Sequence, residues 1–314
     1  MKAITHQAEL NILLEIELKK QHCVDFDKVK QLLNSGAKPC VKGKLLADNS
    51  IQIALSNNAS SEIIELLFEH GAEIHNSFDG NSSLDQALYW GCDYAVIKTL
   101  FQYGAKVTNS KNTNDFLATS LHLAIYHDHS FETIEELLNN GASLITQSSN
   151  PYATTISFSL RKNVDLEILN LFKIHDPNYI KQSDRNGSYC LVNQLLNIAS
   201  HTENNGFELK QNLSFLLNAG ARTSNGTDDN TINLALSKTK AYEIFQLLFD
   251  NGAKITNNPK SSFIIAKQNL HSQNVLKLIK EHSPINLDHE EQLSDLSQDS
   301  DSESVCSDFN YKIR

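Results

Sequence analysis

The sequence is short of the residues that staple or anchor a chain. Its five cysteines (Cys23, Cys40, Cys92, Cys190, Cys306) show no CxxC and no paired spacing. That excludes a disulfide framework and points to free thiols in a reducing, cytoplasmic compartment. The first residues, MKAITHQAEL, lack the apolar core of a secretory signal. No apolar run approaches the roughly 18 residues a membrane span needs, so none is expected. Basic residues are outnumbered, 27 Lys and Arg against 37 Asp and Glu for a net charge of −10. Without a basic stripe the chain is not expected to bind nucleic acid, because phosphate contacts need clustered Lys or Arg. P-loop, GxGxxG, HExxH and GxSxG motifs are all missing. The chain is therefore not expected to be an enzyme, and no cofactor or resident metal is implied.

What the sequence does contain is repetition. One phrase recurs as LLNSGAK (32–38), LLFEHGAEI (66–74), LFQYGAKV (100–107), LLNNGASL (137–144), LLNAGAR (216–222) and LLFDNGAKI (247–255). The glycines are Gly36, Gly71, Gly104, Gly141, Gly220 and Gly252, and most lie 32 to 37 residues apart. The long interval after Gly141 hides a worn copy, LNLFKIHDPNY (169–179), in which His175-Asp176 replace Gly-Ala. A last worn copy, LKLIKEHSPIN, covers 276–286. Apolar residues before each glycine, such as Ile63, Ile64, Leu66 and Leu67, fall on one helical face. Glycine then ends the helix in the left-handed conformation that costs it least. Ser60 and Ser61 are the expected N-caps of the helix that ends at Gly71.

A second short helix is expected upstream of most copies: NSIQIAL (49–55), SSLDQAL (82–88), TSLHLAI (119–125), TTISFSL (154–160) and NTINLAL (230–236). Asp79-Gly80, Asn186-Gly187 and Asn225-Gly226 read as turns between repeats. The five prolines (Pro39, Pro151, Pro177, Pro259, Pro284) all fall at junctions, outside predicted helix interiors.

Helix, link, helix and turn at this period resemble the ankyrin-repeat family, and TSLHLAI is one residue from that family's TPLHLA phrase. The resemblance covers about residues 5–285 and implies an all-α ankyrin-repeat solenoid of about eight units. Their approximate bounds are 5–40, 48–75, 80–108, 117–145, 151–179, 187–224, 229–256 and 260–285. No unit keeps the Thr-Pro step, and the family's Asp after Gly-Ala is mostly Lys, Glu, Ser or Arg. The first unit, HQAELNILLEIELKKQ, lacks the family signature and reads as an N-terminal cap. The sixth is elongated around SHTENNGFELK (200–210).

The resemblance further implies protein–protein recognition on the concave face, by an expected monomer. Aligning the first helices on Ala54, Ala87, Ala124, Ala235 and Ala266 puts Tyr89, Trp90, Tyr126, His127, Arg161 and Lys162 at exposed helix ends in the middle of the array. Trp, Tyr and Arg dominate binding hot spots, so these six are the candidate partner-binding residues. His122, His127, Asp128 and His129 form a tempting cluster. His122 and His129, however, occupy family positions with structural hydrogen bonds, and no metal site is assigned. His22 and Cys23 are adjacent on a helix and point apart, which does not build a nucleophile–base pair.

Residues 286–314 carry eight acids against Lys312 and Arg314, with many serines. Such a segment is expected to be disordered, because it cannot bury enough apolar surface to order itself. It resembles the C-terminal translocation signals of effectors exported by type IV secretion systems of intracellular bacteria. The 33 asparagines fit the same setting as a matter of codon usage. The expected role is thus a secreted effector acting on a host protein. The alternative is a resident cytosolic scaffold or inhibitor regulated by its tail, where Ser300 suits an acid-directed kinase; an enzyme with an unrecognised active site is the third and least favoured reading.

Overall fold

The computed structural model describes residues 2–20, 23–39, 50–76, 82–109, 119–145, 154–184, 190–199, 206–225, 230–255 and 259–284. Among them are 17 α-helices and no strand, so the described chain is all-helical as expected. No described helix is long and apolar enough to cross a membrane. The acidic tail, His22, Pro151 and most of the turn dipeptides lie outside the described residues.

The chain divides into two compact units, residues 1–222 and 223–314. In the first unit the helices alternate between two rows. α1 (Lys2–Leu18), α3 (Ser50–Ser56), α5 (Ser83–Tyr89), α7 (Ser120–Tyr126), α9 (Thr155–Lys162) and α12 (Leu191–Ala199) each touch the next in that order. α2 (Phe26–Asn34), α4 (Ser61–Glu69), α6 (Tyr94–Gln102), α8 (Phe131–Asn139) and α10 (Leu166–His175) do the same. α11 (Tyr179–Ser183) packs on α10, and α13 (Gly206–Asn218) on α12. The second unit repeats the scheme with α14 (Thr231–Lys238), α15 (Tyr242–Asp250), α16 (Pro259–Gln268) and α17 (Gln273–Glu281), where α14 contacts α16 and α15 contacts α17. Pro259 opens α16, where the N–H it lacks would have no partner within the helix.

Within the first row, α3, α5, α7 and α9 are short and almost wholly enclosed. In α7 the six residues Ser120–Ile125 are buried, and only Tyr126 is exposed. Ala54, Ala87 and Ala124 in the first unit, and Ala235 and Ala266 in the second, have no exposed surface, and their small side chains let neighbouring helices approach.

All six Gly-Ala turns adopt the conformation their sequence demands. At Gly71 (φ 89°) the glycine N–H donates to Phe68 O and the Ala72 N–H reaches back to Leu67 O. This is the doubly bonded helix ending that needs a left-handed residue. Five first-row helices, α3, α5, α7, α9 and α16, end the same way without a Gly-Ala signal, on Asn58, Gly91, Asp128, Asn163 and Leu270, all at positive φ, whereas α14 ends on an extended Thr239.

Two expectations need correction. Ser61 is the first helical residue of α4 rather than its cap, and the N-cap Ser60 makes no capping bond to the backbone. The Ser60 hydroxyl instead bonds the Glu62 carboxylate and holds its pKa below the usual value. The worn fifth copy does not turn at His175-Asp176: Asp176 is extended, and the chain continues into α11, whose Tyr179 and Ile180 are fully buried. α1 stands at the start of the first row, and Ile12, Leu13 and Ile16 are exposed on it.

Candidate partner-binding surface

The site is built on the ends of three adjacent first-row helices. Tyr89 is the last residue of α5 and Trp90 its C-cap; Tyr126 and His127 hold the same positions on α7; Arg161 and Lys162 are the last two residues of α9. Because α5 touches α7 and α7 touches α9, positions far apart in sequence become neighbours.

Two polar devices set the spacing of these helices. Asp85, buried in α5, accepts hydrogen bonds from Ser120 Oγ at the start of α7 (2.6 Å) and from Thr108 Oγ1 (2.7 Å). His122, in the equivalent place on α7, meets Thr155 Oγ1 at the start of α9 at 3.3 Å. His129, in the link after α7, pairs through Nε2 with Leu88 O of α5 at 2.8 Å. Two of the three imidazoles in the histidine cluster are thus engaged in joining helices. Among the described residues, no group of three or more His, Cys, Asp or Glu side chains could hold a metal.

The second device was not legible as such in the sequence. Asn76 donates to Gly104 O (3.0 Å) and accepts from the Lys106 N–H (2.9 Å). Asn109 does the same to Gly141 O and the Ser143 N–H, both at 2.7 Å. Each side chain staples one glycine turn to the next. Its mark in the sequence is an asparagine five residues after glycine, in GAEIHN and GAKVTN.

On this frame five of the six predicted residues form one continuous run, and Arg161 stands beside it over the Phe158 ring. The Trp90 ring meets Tyr89 edge-on at 5.2 Å, Tyr89 meets His127 at 5.1 Å, and His127 meets Tyr126 at 5.0 Å. Edge-to-face contact suits rings whose faces are negative and edges positive. Lys162 Nζ lies 5.1 Å from the Tyr126 ring centre and pairs with Asp128 at 3.5 Å. The Arg161 guanidinium lies 5.7 Å from the Phe158 ring. Tyr89 and Trp90 are each 51% exposed and Tyr126 47%, which separates them from core aromatics such as Phe172 at 0%.

Burial, reinforced by nearby Lys162 and opposed by Asp128, lowers the pKa of His127. The imidazole is therefore neutral at pH 7, leaving the lysine, the arginine and one aspartate as the charges of the surface. Sequence reasoning missed Phe158, which lies beneath Tyr126 and Arg161 and is 6% exposed. Its aligned slots hold Ile53, Gln86 and Leu123, so nothing in the repeat pattern marks it. Such a surface can offer flat aromatic area with cations at one end, and it brings no nucleophile and base together. No protein-family model matches the sequence, and no curated protein matches it.

Proposed function

We propose that this chain is an ankyrin-repeat protein of about eight units that captures a protein partner on the Trp90–Tyr89–His127–Tyr126–Lys162 run. The observation that carries the reading is the half exposure of three large aromatic side chains, joined edge to face through His127 across α5 and α7. Aromatic surface held rigid before binding loses little entropy on contact, and Trp, Tyr and Arg are the usual hot-spot residues. The ankyrin reading is supported by the six glycine turns, the alternating helix rows and the TSLHLAI phrase. The role is recognition rather than catalysis.

The proposed setting is the cytoplasm of a host cell, reached by export, with the acidic Ser-rich C-terminus as the export signal. Composition alone supports that part. The competing role is a resident scaffold or inhibitor tuned by the same tail. Deleting 286–314 separates the two: lost export with retained capture supports the effector, and altered partner affinity supports the scaffold.

Affinity capture from host-cell lysate tests the binding surface, using the full chain beside a Tyr89→Ala, Trp90→Ala variant with matching circular dichroism. A protein retained by the native chain and reduced at least ~10-fold by the variant is the expected result, given about 2 kcal/mol per hot-spot residue. Equal capture by both would move the interface elsewhere.

A further inference from the structure

We propose that the outward face of α1 is a self-association surface, on which a second copy of this chain lays its own α1 antiparallel. The surface is separate from the ring-and-cation run on α5, α7 and α9 and does not depend on its role. One side of α1 is spent on the core: Leu10, Leu14 and Leu18 are buried, and α1 packs on α2 and α3. Glu17 also turns inward, where it takes Lys20 and Lys28 at 2.8 and 2.9 Å. The other side should be polar if α1 merely closed the row. Instead Ile12 is 56% exposed, Leu13 47% and Ile16 55%.

The spacing says what kind of surface this is. Glu9, Ile12, Ile16 and Lys19 follow one another at intervals of three, four and three residues, which is the seam of a two-helix pair. Leu13 flanks the seam. The charges choose the direction. Parallel pairing would set Glu9 against Glu9 and Lys19 against Lys19, which is repulsive. Antiparallel pairing centred between the isoleucines sets each Ile12 against the second copy's Ile16, and each Glu9 against the second copy's Lys19. Lys19 is already steadied by Glu15 at 2.6 Å, so its ammonium would bridge two carboxylates. A self-complementary patch of this kind closes as a two-fold dimer instead of growing into a fibre. Two to three turns of helix bury less than about 1,200 Å² in total, which belongs to the weak, reversible class of interfaces. The monomer expected from the sequence would then be the dilute form.

Sedimentation velocity of the full chain, from about 1 to about 100 μM, reads the equilibrium directly in the micromolar range. Three variants accompany it: Ile12→Lys with Ile16→Lys, Glu9→Lys, and Lys19→Glu. All of these positions except part of Lys19's contact with Glu15 face solvent, and circular dichroism checks that each variant keeps its helix content. The native chain is expected to dimerise as concentration rises, and the isoleucine double variant to weaken that at least ~10-fold. Each single charge reversal is expected to weaken it as well, while an equimolar mixture of the two recovers the dimer, because both cross pairs become attractive again. A native chain that stays monomeric at the highest concentration overturns the proposal. So does a dimer that survives loss of the isoleucines. Failure of the two charge variants to recover dimer on mixing overturns the antiparallel register.

Discussion

Leu270 sits at φ 54° with 80% of its surface exposed, at the turn that ends α16. A left-handed leucine carries a steric penalty of about 1–2 kcal/mol that asparagine largely escapes. The chain itself uses asparagine at the same turn elsewhere, as Asn58 and Asn163. Leu270→Asn should therefore stabilise the second unit by about 1 kcal/mol, seen as a higher urea midpoint. An unchanged or lower midpoint would mean that the leucine side chain contributes packing that its exposure conceals. Asparagine has a second use at this scale. Asn76, Asn109 and Asn225 each bond the backbone of the next glycine turn. Part of the chain's asparagine content thus has a mechanical explanation in addition to a compositional one.

Between elements, two kinds of contact hold neighbouring helix pairs together. Apolar packing around the buried alanines brings the helices close, and discrete polar bonds set their register. Asn109 tests the second kind, because it joins the turn before α7 to the turn after α8 through two bonds of 2.7 Å. Asn109→Ala should cost about 1–2 kcal/mol and speed hydrogen exchange at the Ser143 amide, which loses its acceptor. Unaltered exchange at that amide would show that water replaces the side chain without loss. Asp85 does comparable work inside the first row, where its buried carboxylate accepts two hydroxyls. The same logic bears on the ring run: these bonds join α5 to α7 and α7 to α9, whose terminal residues meet.

At the scale of the molecule, stability should fall on both sides of neutral pH. Burial lowers the pKa of His129 from 6.5, against the raising effect of the Leu88 carbonyl. Above 6.5 folded and unfolded chains both carry a neutral imidazole, so its contribution to stability is fully present. As pH falls below that value the unfolded chain takes up the proton first, and stability declines toward the lower folded pKa. His127, lowered by burial and Lys162, acts in the same direction. On the alkaline side, burial pushes the Cys92 thiol from 9.0 to about 12. The unfolded thiol ionises first there, so stability falls as pH rises from about 9 toward about 12. Urea midpoints measured across this range should fall at both ends, and His129→Gln should flatten the acid limb. An acid limb unaffected by that change would assign it to other groups.

Helix positions, the six glycine turns and the ends of α5, α7 and α9 were legible in the sequence, because each depends on residues within about ten positions of one another. Apolar spacing picks the buried face, glycine picks the left-handed turn, and an alanine register picks which residues stand at a helix end. Other features depended on contacts between residues some 30 positions apart. The staples from Asn76 and Asn109, the Asp85 bonds and the Phe158 ring beneath Tyr126 are of this kind. α11 emerged because Asp176 stays extended where glycine would have turned, and Tyr179 and Ile180 then found a buried site. The apolar outer face of α1 was equally hidden. Leucines and isoleucines alternate around that helix with little asymmetry, and only its packing on α2 and α3 decided which of them were left outside. Local periodicity therefore determined the elements and named the candidate surface, whereas which side chains touch, and which stay exposed, was decided by tertiary packing alone.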